Sequence, residues 1–221
     1  TPGINDSYRN RLTHSIEVAQ IARTIARALA LNESLTEAIA LAHDIGHSPF
    51  SHAGESVLNK LAADFGGFEH NKQALRIVEL IEHPYPGFQG LNLMYETRLG
   101  LARHSSPYDK SQDVSYKENQ ASLEGQIVDV ADRIAYNCHD LEDGLRSRLI
   151  TDDQLESVEI FAIAREKIGA ENLNDYTLKR IRTAKAVIDI LVTDVIETSR
   201  NAIAKAELKT LDDVYDQPVP L

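Results

Sequence analysis

The chain has 221 residues, 43% of them apolar and 26% charged, the balance of an ordinary globular protein long enough to bury a sizeable core. A formal net charge of −11 argues against a protein that coats nucleic acid or anionic lipid, and no apolar run approaches the roughly 18–20 residues that span a bilayer. A small phosphate-bearing ligand stays compatible with that charge, because a metal ion and a few local arginines reverse the potential inside a pocket. The single cysteine, Cys138, has no internal disulfide partner, so a reducing, cytoplasmic setting is expected. The chain opens on Thr1 without a methionine, and further residues are expected before it.

Apolar residues at Ile16, Ala19, Ile21, Ala22, Ile25, Ala26 and Leu29 recur at helical spacing, which predicts an amphipathic helix over about 9–31. Ser34-Leu35-Thr36-Glu37 reads as a capping box opening a second helix that runs to about 44. Gly46 to Ser51 break the pattern, and helices over about 52–63 and 69–82 follow, separated by Gly66-Gly67. His83-Pro84-Tyr85-Pro86-Gly87-Phe88-Gln89-Gly90 is a loop, in which Tyr85, Phe88 and Met94 are expected to pack locally. A short helix over about 95–104 leads into a polar stretch over 105–119. Arg98, Arg103, His104 and Tyr108 in this region are read as solvated, with a nucleotide contact as the alternative. A long helix spans about 122–148. Thr151-Asp152-Asp153-Gln154 caps another that runs to about 168, and the last covers about 176–208. Along it, Lys179, Arg180, Arg182 and Lys185 form a basic stretch, read as a solvated face or as an effector or phosphate contact. Residues 186–195 are apolar on enough sides to suggest a subunit contact. Eleven glycines, seven prolines and no convincing strand make the chain all-α, a single domain over 1–221 with a catalytic core over 1–150 and C-terminal helices over 151–221.

The chemistry concentrates where the second helix ends. His43, Asp44, His47, His52 and Glu55 fall within thirteen residues around a Gly/Pro break, more polar groups than a packed core has use for. Adjacent helical residues point about 100° apart, so His43 and Asp44 share an ion only near a helix end, with help from a neighbouring helix. His14 is the natural partner, and a fourth ligand should be an acid such as Asp129, Asp132 or Asp140 from the long helix. Two imidazoles and two carboxylates suit Mn²⁺, Fe²⁺, Co²⁺, Ni²⁺, Zn²⁺ or, more weakly, Mg²⁺. They leave coordination places for water and a phosphate oxygen, which hydrolysis needs.

Arg11-Leu12-Thr13-His14-Ser15-Ile16-Glu17-Val18-Ala19-Gln20 and the run Ala42-His43-Asp44-Ile45-Gly46-His47-Ser48-Pro49-Phe50-Ser51-His52-Ala53-Gly54-Glu55 closely resemble the bacterial dGTPase family of HD-domain deoxynucleoside triphosphate triphosphohydrolases. The likeness continues in Gly66-Gly67-Phe68-Glu69-His70-Asn71, in Gly90-Leu91-Asn92-Leu93 and in Gln126-Ile127-Val128-Asp129-Val130-Ala131-Asp132-Arg133-Ile134-Ala135-Tyr136. The resemblance implies an HD-domain helical fold and cleavage of a dNTP into deoxynucleoside and tripolyphosphate, with one divalent metal, Mn²⁺ foremost, beside the α-phosphate. It implies His14, His43, Asp44 and Asp132 as ligands, with Asp129 in reserve.

By the same resemblance Glu55 orients His52, which acts as nucleophile, acid or water-positioning group. His47 and His70 contact phosphate oxygens or protonate the leaving 5′-oxygen, supported by Asn71. Arg11 and Arg133 reach phosphate, Tyr136 packs on the sugar and Asp140 accepts from the 3′-hydroxyl. A homo-oligomer, with a nucleotide effector possible, is implied as well. An HD phosphohydrolase for another nucleotide, such as a nucleoside monophosphate, or a nucleotide-sensing regulator with little turnover, are the alternatives.

Overall fold

The computed structural model describes residues 10–104 and 116–221. Tyr108 and most of the polar stretch after His104 lie outside the described residues, as does the first residue of the expected N-terminal helix. Helices account for all the regular structure among the described residues: α1 (Arg11–Ala28), α2 (Glu33–Ala42), α3 (Ser51–Leu61), α4 (His70–Arg76), α5 (Tyr95–Ala102), α6 (Leu123–Arg146), α7 (Asp152–Leu155), α8 (Glu159–Lys167), α9 (Tyr176–Ala206) and α10 (Leu211–Tyr215). Short 3₁₀ turns and one π-helical turn, Ile77–Ile81, accompany them. None of the helices is long and apolar enough to cross a membrane.

The chain forms two compact units, one of Thr1–Ala131 with Ile203–Leu221 and one of Asp132–Ala202. In the first, α1 runs along α2 and buries Val18, Ala22, Ile25 and Ala26 on one stripe, with Ile39 and Ala40 of α2 equally enclosed. Ile16, expected on that stripe, is instead 53% exposed. Leu99 and Leu101 of α5 and Val128 of α6 are buried too. Side chains of this size gain about 1.5–3 kcal/mol each from full burial. Gly100 lets α5 approach α2 closely, since a Cβ there would sit 2.6 Å from Ile39 Cδ1.

The caps correct two expectations. The Ser34 capping box does not form; Asn32 Oδ1 accepts from the amides of Ser34 and Leu35, both at 3.1 Å, and α2 starts a residue earlier. The Thr151 box is present, but the helix it opens ends after one turn, and α8 begins afresh at Glu159. In this second unit Arg165 of α8 pairs with Asp152 of α7 at 2.7 Å, and Lys167 pairs with Asp189 of α9. Only Thr183, Ala184, Ala186 and Val187 of the long α9 are buried. In the first unit, Tyr85 and Phe88 lie ring against ring at 5.1 Å, the local packing expected of their loop.

Candidate metal centre and histidine cluster

Helix α2 gives way to a turn at His43, which places the His43-Asp44 pair at a helix end. His43 is 2% exposed, and its Nδ1–H donates to the Ala40 carbonyl at 2.7 Å. That bond fixes the tautomer and leaves Nε2 as the nitrogen with a lone pair, the form in which imidazole binds a metal. The His14 ring, carried by α1, meets the His43 ring edge-on at 5.6 Å. His14, His43 and Asp132 each offer a ligand atom, and these atoms all lie within 4.8 Å of one another. The Asp44 carboxylate turns the other way, 3.3 Å from His47 Nε2. Two imidazoles and two carboxylates fit a first-row divalent ion in donor chemistry.

Beyond Asp44 stands a second group. His47, His52, Glu55 and His70 also bring ligand-type atoms within 4.8 Å of one another. Glu55 is its hub. The carboxylate accepts from the His70 backbone amide at 3.0 Å and from His70 Nδ1 at 3.1 and 3.2 Å, and His52 Nδ1 lies 3.4 Å away. Burial raises the Glu55 carboxyl, but the bonds from the His70 ring and amide outweigh it and leave the group below its ordinary value. Glu69, N-cap of α4, holds the start of that helix through the Asn71 and Lys72 amides, both at 2.9 Å.

Gly46 makes the meeting of the two groups possible. A Cβ there would collide with the His70 carbonyl oxygen and the Ala74 amide, so only glycine lets the turn after Asp44 lie on α4. As a result His47 stacks on His70, ring centroids 4.1 Å apart and planes within 10°. Burial, and then the neighbouring His70, push the His47 imidazole down to about 4, so it is neutral at pH 7. Its Nδ1 is buried and has no hydrogen-bond partner among the described residues. Beside His52 and Glu55 opens a cavity of about 820 Å³, lined also by Asn59, Phe68, Lys72 and Arg76.

The remaining expected residues fall in different places. Arg11 donates to the carbonyls of His47, at 2.7 Å, and Ser48, so it braces the turn that carries His47. Asn71 is buried and donates to the His104 carbonyl at 2.9 Å. Asp132, Tyr136 and Asp140 follow one another at four-residue spacing along one face of α6. Arg133 and Asp140 are exposed and Tyr136 is half-buried.

His104 departs from its reading as a solvated residue, being 6% exposed with Nδ1 2.6 Å from Asp129 Oδ1. Arg98 and Arg103 are tied to Glu79 and to the Tyr116 and Glu118 carbonyls. The His104–Asp129 pairing joins α6 to the end of α5 across 25 positions. No spacing rule within a single helix points to it.

This constellation, a His-Asp pair at a helix end facing a histidine from an earlier helix, is the hallmark of the HD domain, whose family matches residues 11–137; the chain belongs to that family. Within it, the chain is 47% identical over 213 residues to a deoxyguanosinetriphosphate triphosphohydrolase-like protein of Geobacter metallireducens, covering 95% of this chain and 55% of that protein. Proteins of the same description from Geobacter sulfurreducens (48% identity, 98% of this chain, 57% of that protein) and Thiobacillus denitrificans (47%, 96%, 58%) are similar to it as well. The chain thus spans a little over half the length of these relatives.

Proposed function

We propose that the protein is a metal-dependent phosphohydrolase that splits deoxynucleoside triphosphates into deoxynucleoside and tripolyphosphate. The observation that carries this reading is the adjacency of two histidine groups, His14–His43 for a metal and His47–His52–Glu55–His70 for proton chemistry, joined through the Asp44–His47 contact. His14, His43, Asp44 and Asp132 would hold one divalent ion, Mn²⁺ foremost. When bound, the ion supplies charge neutralisation and polarises the α-phosphoryl group.

The chain's own residues supply the rest. Glu55 orients His52 and stabilises positive charge on it, so that His52 works at the α-phosphorus or on the attacking water. His47, neutral at pH 7, meets a phosphate oxygen as a hydrogen-bond donor rather than as a cation. His70, its Nδ1 held by Glu55, presents its other nitrogen for a proton on the 5′-oxygen, and Asn71 steadies its helix. In the overall reaction the bond from α-phosphorus to the 5′-oxygen breaks, the water oxygen stays on tripolyphosphate and a proton ends on the 5′-oxygen. Arg11 and Arg133 serve phosphate, and Tyr136 and Asp140 serve the sugar. A homo-oligomer is the active form.

The test is to incubate Mn²⁺-loaded protein with each dNTP and identify the phosphate product by phosphorus NMR. Tripolyphosphate is expected; pyrophosphate, orthophosphate or no product would sink the reading. His52→Ala should abolish turnover with metal content unchanged.

A further inference from the structure

We infer that Asp129 and His104 form a positioning pair for the metal centre, holding the His43 ring and tying it to the helix of His70. This rests on the reading of His43 as a ligand. A ligating histidine has two rotational freedoms to lose. For His43 the bond from Nδ1 to the Ala40 carbonyl fixes which nitrogen faces outward, but one hydrogen bond still permits the ring to rock about it. The His104 ring restrains that rocking. It packs against the His43 ring at a centroid distance of 5.0 Å and an angle of 63°, the edge-to-face arrangement that aromatic quadrupoles favour. His14 meets His43 at the same interplanar angle, so His43 has an imidazole packed edge-to-face against it from each of two other elements.

His104 is itself immobilised at both ends. Its Nδ1–H donates to the Asp129 carboxylate at 2.6 Å, a charge-assisted bond. Its backbone carbonyl accepts from Asn71 Nδ2 at 2.9 Å. Asn71 follows His70 directly, so a continuous chain of contacts leads from Asp129 through His104 to His43 on one side and to the His70 helix on the other. Asp129 also stands one turn before Asp132 on α6, so the carboxylate that steadies His104 sets the axial register of the helix bearing Asp132. His104, Asn71 and His43 are each at most 6% exposed, and an imidazole–carboxylate pair so enclosed is costly to keep without a role or a full set of partners.

Cobalt is the probe, because its visible spectrum reports ligand number and geometry without any substrate. Asp129→Asn removes the charge and keeps the shape; His104→Asn keeps an N–H for Asp129 but removes the ring from His43. For both variants one Co²⁺ per chain is expected to bind, with affinity weakened about 10–100-fold and the absorption bands shifted. With metal saturating, kcat falls and the KM for dNTP changes little. Asp129→Glu should recover part of the affinity. His43→Ala, the control for loss of a ligand, should lose the cobalt bands. If Asp129→Asn loses them to the same extent, Asp129 is itself a ligand and the inference is overturned. It is equally overturned if both variants show the unaltered spectrum and affinity with only a lowered melting temperature. Affinity and spectrum are read without nucleotide, so a protein that binds cobalt normally and hydrolyses no dNTP overturns the proposed function and not this pair.

Discussion

At the scale of single residues, His47 shows how packing selects a protonation state. Stacked on His70 and largely withdrawn from water, it protonates only near pH 4, against 6.5 for a free imidazole. Between those values the unfolded chain takes up a proton that the folded chain refuses. In protein stripped of metal, the stability that His47 contributes should therefore fall as pH drops from about 6.5 to about 4, and change no further below that. Nitrogen-15 spectra of the imidazoles would follow His47 directly, and a midpoint near 6.5 would refute the assignment. His47→Gln should remove this part of the pH slope. Neutrality also limits the chemistry: at pH 7 a group with so low a value offers one N–H and one lone pair, and charge neutralisation of a phosphate falls to other residues.

At the scale of elements, the approach of the turn after Asp44 to α4 decides whether the site exists. Gly46→Ala would press a methyl group into the His70 carbonyl and the Ala74 amide, neither of which can rotate away. A cost of about 2–3 kcal/mol is expected from such overpacking, read as a lower denaturation midpoint, together with loss of turnover as His47 and His70 separate. Unchanged stability would show that the turn has room to shift.

Most helices were legible because apolar residues repeat every three to four positions, and the site was legible because His43, Asp44, His47, His52 and Glu55 are crowded into one short run. What escaped has physical reasons. The break between α7 and α8 carries no glycine or proline, so nothing in Glu156-Ser157-Val158 announces it. Ser34-Leu35-Thr36-Glu37 satisfied a capping pattern that Asn32, two residues earlier, pre-empted. Helix α10 was passed over although Thr210 and Asp213 cap it reciprocally, a signal that a search for short elements would have caught. The His104–Asp129 bond joins residues on separate elements, where periodicity carries no information.

At the scale of the molecule, an ion held by the folded chain and not by the unfolded one adds to stability by mass action. At a hundredfold excess over its dissociation constant that amounts to about 2.7 kcal/mol. For a chain of this length the gain corresponds to roughly 5–10 °C in melting temperature. Chelation should reverse it and Mn²⁺ should restore it, as followed by calorimetry; a melting temperature indifferent to both would contradict a metal centre at His14 and His43. The relatives extend well beyond the span matched here, and base preference belongs to the longer protein as much as to this portion.

The π-helical turn at Ile77–Ile81 has a consequence for how this region tolerates change. Its Glu82 amide reaches back five residues to the Ile77 carbonyl, so the turn accommodates one residue more than an α-helical turn. Length there acts as a phase setting. Deleting Leu80, itself 55% exposed, would let ordinary helical pairing resume and rotate whatever follows by about 100°. The Leu91 amide would then lose the Val78 carbonyl on which it rests at 2.8 Å. Substitution at such an exposed position is cheap, whereas removal of the same residue would throw the Pro/Gly loop out of register.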